Sequence, residues 1–173
     1  MRGMATACAL GVAFAPPALA QSTATPPDCP ASPAPLPGEL AAWSNPELMA
    51  AAAGTLVGRS ALPVGRAAKL ALLPTPQVRY ALPPGKPGGP LSHGGIVGLD
   101  VVQTGTHRIA LSSAAWVDVV RDGRAVTSTA HGHGPDCSGI RKIVDFPLRP
   151  GRYLLQIAGS DEPQITALIV GPR

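Results

Sequence analysis

The sharpest polar feature of the sequence is His131-Gly132-His133. On an extended segment, residues two apart project to the same side, and neutral imidazoles are common transition-metal ligands. Two such rings would supply part of a zinc or copper site. Asp136, His93 or His107 would bring the set to three or four ligands. The competing reading is a Gly-rich hairpin loop, anchored by Cys137, that exposes two ordinary imidazoles. Spacing alone leaves both open, so the expectation is no cofactor, with Cu or Zn on His131 and His133 as the alternative. His107 falls in phase with Ile109 and Leu111 on a strand pattern and is expected to pack. His93, in Ser92-His93-Gly94-Gly95, is expected at the surface.

Other chemistry finds less support. Ser112, Ser113 and Ser138 accompany Asp118, Asp136 and Asp145, but no Gly-x-Ser-x-Gly elbow occurs. Gly85-Lys86-Pro87-Gly88-Gly89 lacks the order of a phosphate loop, and its prolines remove backbone donors. No catalytic residue is therefore assigned. Trp43, Tyr80, Trp116 and Tyr153 could offer a sugar-stacking platform, yet with aromatics at 3% of the chain they are needed for packing.

The elements that must position these residues follow from the rest of the sequence. Met1-Arg2-Gly3-Met4, an apolar run over residues 5–14 and Ala18-Leu19-Ala20 read as a secretory signal peptide over residues 1–20. The run is too short to span a bilayer, so no membrane span is expected. Periplasmic or secreted localisation follows, after cleavage near Ala20. Cleavage would remove Cys8 and leave Cys29 and Cys137, an even pair whose oxidising surroundings favour a disulfide. It would also leave 13 basic against 10 acidic residues, with the basic ones scattered. With so few aromatics to stack on bases, no nucleic-acid partner is expected.

Residues 21–63 read as a Pro- and Ala-rich arm carrying one short helix. Ser44 or Asn45 would cap it, Pro46 suits its first turn, and residues 48–53 would run to Gly54. From residue 64 onward, short apolar runs alternate with turn residues. Strands are expected over residues 66–73, 77–82, 96–102, 106–112, 116–121, 124–130, 143–148, 153–157 and 164–170. Asp122-Gly123 is the strongest hairpin signal, and residues 83–90 and 131–140 are expected to be loops. In the alternation, Tyr153, Leu155 and Ile157 share a face, as do Ile165, Ala167 and Ile169, and as do Val117 and Val119. Seven to nine short strands, each with one apolar face, give an all-β antiparallel sandwich or jelly roll, with a closed barrel as rival.

Residues 95–170 resemble exported bacterial β-sandwich domains of the pre-peptidase C-terminal type. The resemblance rests on Gly105-Thr106-His107-Arg108-Ile109, on Trp116-Val117-Asp118-Val119 running to Asp122-Gly123, and on Pro150-Gly151-Arg152-Tyr153. It covers under half the chain and implies a non-catalytic accessory or binding module. The whole chain is also similar to short exported bacterial proteins labelled homogentisate 1,2-dioxygenase. That label implies a non-haem iron enzyme of cupin type, whose signature places a Glu shortly after His-x-His. Here Gly134-Pro135-Asp136-Cys137 follows His133, and the next Glu is Glu162.

The expectation is an exported, non-enzymatic binding or accessory protein of the periplasm, with a protein or small-molecule ligand. The surface of first interest is residues 130–140, with His93 beside it if the fold allows. A metal-binding protein using His131 and His133 is the alternative, and the iron dioxygenase a third.

Overall fold

A computed structural model of the chain describes Cys29, residues 35–58 and residues 60–172. The expected leader and most of the Pro-rich stretch lie outside the described residues. Eleven strands form two sheets: β1 (Glu47–Ala50), β2 (Ala67–Ala71), β3 (Leu73–Pro74), β4 (His93–Val101), β5 (Gly105–Leu111), β6 (Trp116–Arg121), β7 (Arg124–Ala125), β8 (Ala130–Gly132), β9 (Lys142–Leu148), β10 (Gly151–Ser160) and β11 (Gln164–Val170). One sheet has the order β1-β2-β11-β5-β9-β8 and the other β3-β4-β10-β6-β7. The protein is an all-β sandwich. Its strand count exceeds the expected seven to nine because β1, β3, β7 and β8 have only four, two, two and three residues, too few to leave a periodic signal.

The alternation of the long strands decides what is buried. Val117, Val119, Tyr153, Leu155, Ile157, Ile165, Ala167 and Ile169 all join the core between the sheets, with Leu99, Ile109, Leu111, Phe146 and Leu148. Each fully buried large aliphatic side chain contributes roughly 1.5–3 kcal/mol, so this inter-sheet layer is the main source of stability. His107 belongs to it: the ring is 1% exposed and its Nδ1–H donates to Gly105 O at 3.1 Å.

Most tight turns carry the chain from one sheet to the other instead of closing hairpins. β4 and β5, β9 and β10, and β10 and β11 are each consecutive in sequence yet lie in opposite sheets. Gly105 (φ 152°) and Gly151 (φ 146°) open the strands that follow two of these corners, in backbone that L side chains rarely adopt. A Cβ on Gly151 would also stand 2.9 Å from the Arg121 guanidinium. The Tyr153 hydroxyl fastens this corner, donating to Arg149 O at 2.8 Å and accepting from Arg149 N and Arg121 Nη1 at 3.2 and 3.1 Å. Asp122 (φ 50°) and Gly123 (φ 71°) form the expected hairpin turn, closing Arg121 onto Arg124.

Both outer faces are covered. On the six-stranded sheet, Leu40, Trp43 and Ile140 lie against Ala67, Ala110 and Leu168. Leu40 and Trp43 come from a 3-10 helix, Gly38–Ser44. Three contacts hold it down. Cys29 and Cys137 are disulfide-bonded, their Cα atoms 5.4 Å apart. Trp43 Nε1 donates to Ser138 O at 3.0 Å, and Arg108 joins Glu39 (2.9 Å) to Asp145 (3.0 Å). On the five-stranded sheet the cover is the strap of residues 78–85. The fully buried Gln156 amide accepts from Ala81 N (2.5 Å) and Leu82 N (3.2 Å) and donates to Leu82 O (3.2 Å). Tyr80 donates to Ile157 O at 3.1 Å.

Several expectations are corrected. The helix expected over residues 48–53 is absent, and the helical turn lies earlier, at Gly38–Ser44. Residues 47–50 instead pair in parallel with β2, and Ala52 bridges Ile96 across to the other sheet. A helix of about six residues cannot repay its nucleation cost, whereas Ala51 packs closely enough that a Cβ on Gly95 would meet it at 2.5 Å. Residues 77–82 are no strand: Pro76 before them and Pro83-Pro84 after them interrupt any ladder, and a side-chain amide serves the backbone groups instead. The strand expected over 124–130 ends at Ala125, and the loop expected from 131 opens with the last two residues of β8.

Candidate functional site

The two histidines with metal-ligand spacing lie at the outer rim of the six-stranded sheet. His131 is exposed on the edge strand β8, opposite Val144. His133 follows it, exposed, with Nδ1 2.8 Å from Arg141 O. A carbonyl only accepts, so Nδ1 is the donor. Asp136 is exposed in the turn that precedes Cys137, whose own φ is 59°. His93 begins β4 in the opposite sheet, paired with Pro74 and Ser160. Among the described residues, no group of three or more His, Cys, Asp or Glu side chains is placed to hold one metal ion. His131 and His133 do border one recess, shared with Arg108 and Asp145. There Arg108 already bridges Glu39 and Asp145, and chiefly the Asp145 hydrogen bond pushes its guanidinium pKa up. The fold thus assigns this recess a structural task, tying arm to sheet.

A different site emerges from the sheet edges. An exposed strand edge presents unpaired N–H and C=O groups, and folded proteins generally cover it. The outer edge of β4 is covered from His93 to Gly98. Leu73 and Pro74 pair with Gly94 and His93, Ala52 bridges Ile96, and Gly98 bonds to Ser60 O and Leu62 N at 2.6 and 2.9 Å. The outer edge of β6 is not. β7 pairs only Val120 and Arg121, and Val126 N adds one bond to Val119 O at 2.7 Å. Among the described residues, residues 116–118 have a strand neighbour only on the β10 side.

Beside that open stretch lies a cleft of about 480 Å³ between the two sheets. Val126, Val144 and Phe146 give it an apolar wall, and Lys86, Trp116 and Lys142 stand at its mouth. Lys86 Nζ is 5.9 Å and Lys142 Nζ 5.6 Å from the centroid of the Trp116 ring. Cations over an indole face are attracted by its quadrupole. Each element fixes one part. Trp116 opens β6, Lys142 opens β9 and reaches across to donate to Ala115 O at 2.8 Å, and Lys86 directly follows the strap, held close because Gly85 lies against the indole.

The electrostatics of the cleft are unbalanced. Among the described residues neither lysine has a carboxylate within 4 Å. Burial, then the charge of Lys86, pushes the Lys142 pKa down. Asp118, half-buried in the wall, has its carboxyl pushed up by burial; the nearby Trp116 and Gln156 side chains and the Lys142 charge pull it partway back. Trp116 Nε1 lies near that carboxyl without hydrogen-bond alignment. Among the described residues, both it and Asp118 Oδ2 are buried with no hydrogen-bond partner. Such orphaned polar atoms are uncommon in folded proteins, and a third, His93 Nδ1, lies away from the cleft. A larger hollow of about 650 Å³ on the outer face of the five-stranded sheet differs in this respect. There Arg121 and Arg152 face Asp122 and Asp100, each pair 3.5 Å apart.

In the sequence Trp116 reads as a packing aromatic, and Lys86, Asp118 and Lys142 share no pattern. No motif could have joined them, because they sit on three separate elements. The available signal was weak: Trp116 and Asp118 alternate with the core residues Val117 and Val119, which puts an aromatic and an acid together on the other face. No protein-family model matches the chain, and no curated protein matches it significantly.

Proposed function

We propose that this protein is an exported, non-enzymatic β-sandwich that serves as a binding or accessory module of the periplasm, with the cleft beside β6 as its ligand site. The observation that carries the reading is the contrast between the two edges of one sheet. One is covered by three separate chain segments, while among the described residues the other is open at residues 116–118, beside a cavity with an apolar wall and charged rim. A cavity of this size falls within the roughly 300–1,000 Å³ range of small-molecule sites. The Cys29–Cys137 bridge supports export, because such bonds persist in oxidising compartments. The resemblance to pre-peptidase C-terminal-type domains supports a non-catalytic role.

A ligand that binds only the folded state raises its thermal stability in proportion to RT ln(1 + [L]/Kd). A thermal-shift screen of small molecules on the purified protein and on Trp116→Ala tests the site. Compounds that stabilise the former and not the latter are expected. A screen whose every positive compound acts equally on Trp116→Ala would remove the cleft from the proposal.

A further inference from the structure

We infer that the cleft takes an organic anion: one carboxylate- or sulfonate-like head held between Lys86 and Lys142, with a flat apolar body against Val126, Val144 and Phe146. This rests on the reading of the cleft as a ligand site and adds the chemistry of its occupant. The two ammonium groups stand 5.9 and 5.6 Å from the centroid of one ring, near enough for the Lys86 charge to act on Lys142. Like charges that share one indole repel; among the described residues neither has a carboxylate within 4 Å, and Asp118 offsets Lys142 only in part, through its charge. A bound anion would supply the missing charge and accept hydrogen bonds from both. The other titratable groups that line the cleft are Asp118 and His131. Asp118 repels an anion when ionised, which favours a singly charged head over a multiply charged one. Behind the head, the apolar wall and the indole face suit a planar hydrocarbon body, not a sugar or an inorganic ion. Lys142 is half-buried and anchored through Ala115 O, so its head group is already positioned before a ligand arrives.

The test uses two fluorescent probes with the same body. Anilinonaphthalenesulfonate carries one negative charge, and phenylnaphthylamine is its neutral counterpart. Both are titrated into the full chain, into Lys86→Gln and into Lys142→Gln, with energy transfer from Trp116 locating the bound probe and Trp116→Phe as control. Lys86 is exposed just beyond the strap, so its replacement leaves the fold intact even if Lys142→Gln weakens it. The sulfonate is expected to bind the parent at least tenfold more tightly than either lysine variant, since a charge-assisted hydrogen bond is worth roughly a factor of ten or more. The neutral probe should bind all three alike. Equal binding of both probes, unaffected by the lysine changes, would keep the cleft and overturn the anion. Absence of any Trp116-dependent signal from either probe would overturn the inference together with the site it rests on.

Discussion

Removing the Cys29–Cys137 bridge is expected to destabilise the protein by about 2–4 kcal/mol. The two residues are 108 apart in sequence, and chain entropy assigns closure of a loop that long roughly 4.8 kcal/mol at 25 °C. Two features of the structure reduce this. Cys137 occupies the left-handed region at φ 59°, which costs an L residue roughly 1–2 kcal/mol and can relax once the bridge is gone. The arm also retains the Trp43–Ser138 hydrogen bond and the packing of Leu40 and Trp43 against Ala67, Ala110 and Leu168. Urea unfolding of the parent and of Cys29→Ser/Cys137→Ser measures the difference. At roughly 2–4 °C per kcal/mol for a chain of this size, the corresponding fall in Tm is about 4–16 °C. The two tryptophans add spatial detail: Trp43 reports the arm, while Trp116 sits on the other sheet. The variant should lose its Trp43 signal at lower urea than its Trp116 signal. A stability change below about 0.5 kcal/mol, or two titratable thiols in the unreduced protein, would show that the bridge does not tie down the arm.

Three further outcomes follow from particular residues. Because burial holds the Asp118 carboxyl pKa up, the folded state binds that proton more tightly than the unfolded chain does. Its contribution is therefore complete below the ordinary carboxylate range and is lost as pH rises through the folded value. Asp118→Asn should then be neutral or stabilising at pH 7 and lose that advantage near pH 4. Melting curves at both pH values decide this, and an advantage that grows on acidification would refute it. Gln156→Leu should cost about 2 kcal/mol, the scale of leaving partly buried backbone donors unsatisfied, since Ala81 N and Leu82 N lose their acceptor. Proteolysis within residues 78–85 should become faster, and an unchanged cleavage rate would show that the amide does not secure the strap. Elemental analysis of untagged protein should find no stoichiometric metal, and His131→Ala/His133→Ala should leave metal content unaltered. One bound zinc or copper lost in that variant would restore the metal-binding reading.

The inter-sheet core could be read directly because strand periodicity is enforced by burial. Tyr153, Leu155 and Ile157 had to face one way, as did Ile165, Ala167 and Ile169, and the core contains all six. The Asp122-Gly123 turn was equally plain, its chemistry being local. What escaped were features set by distant partners. Residues 48–53 look helical alone and become strand and bridge only because β2 and Ile96 offer backbone partners. Gln103-Thr104-Gly105 and Arg149-Pro150-Gly151 resemble hairpin turns, yet they lead into the opposite sheet. The sequence does not state which sheet the next strand will join. The candidate site was hidden for the same reason. His131 and His133 announce themselves by spacing, but they lie exposed beside an arginine occupied with holding the arm. Lys86, Trp116 and Lys142 have no spacing to notice and converge through a strap, a sheet edge and a cross-sheet reach.

The most direct test of the cleft at the open β6 edge as this protein's binding surface is an amide-resolved NMR titration of the isotopically labelled protein with anilinonaphthalenesulfonate. The shifts expected are saturable and confined to the Trp116 indole N–H, the amides of residues 116–118 and 126–128, and β9 from Lys142 to Phe146. Shifts centred on residues 131–140, or on the hollow between Arg121 and Arg152, would place binding elsewhere and contradict it.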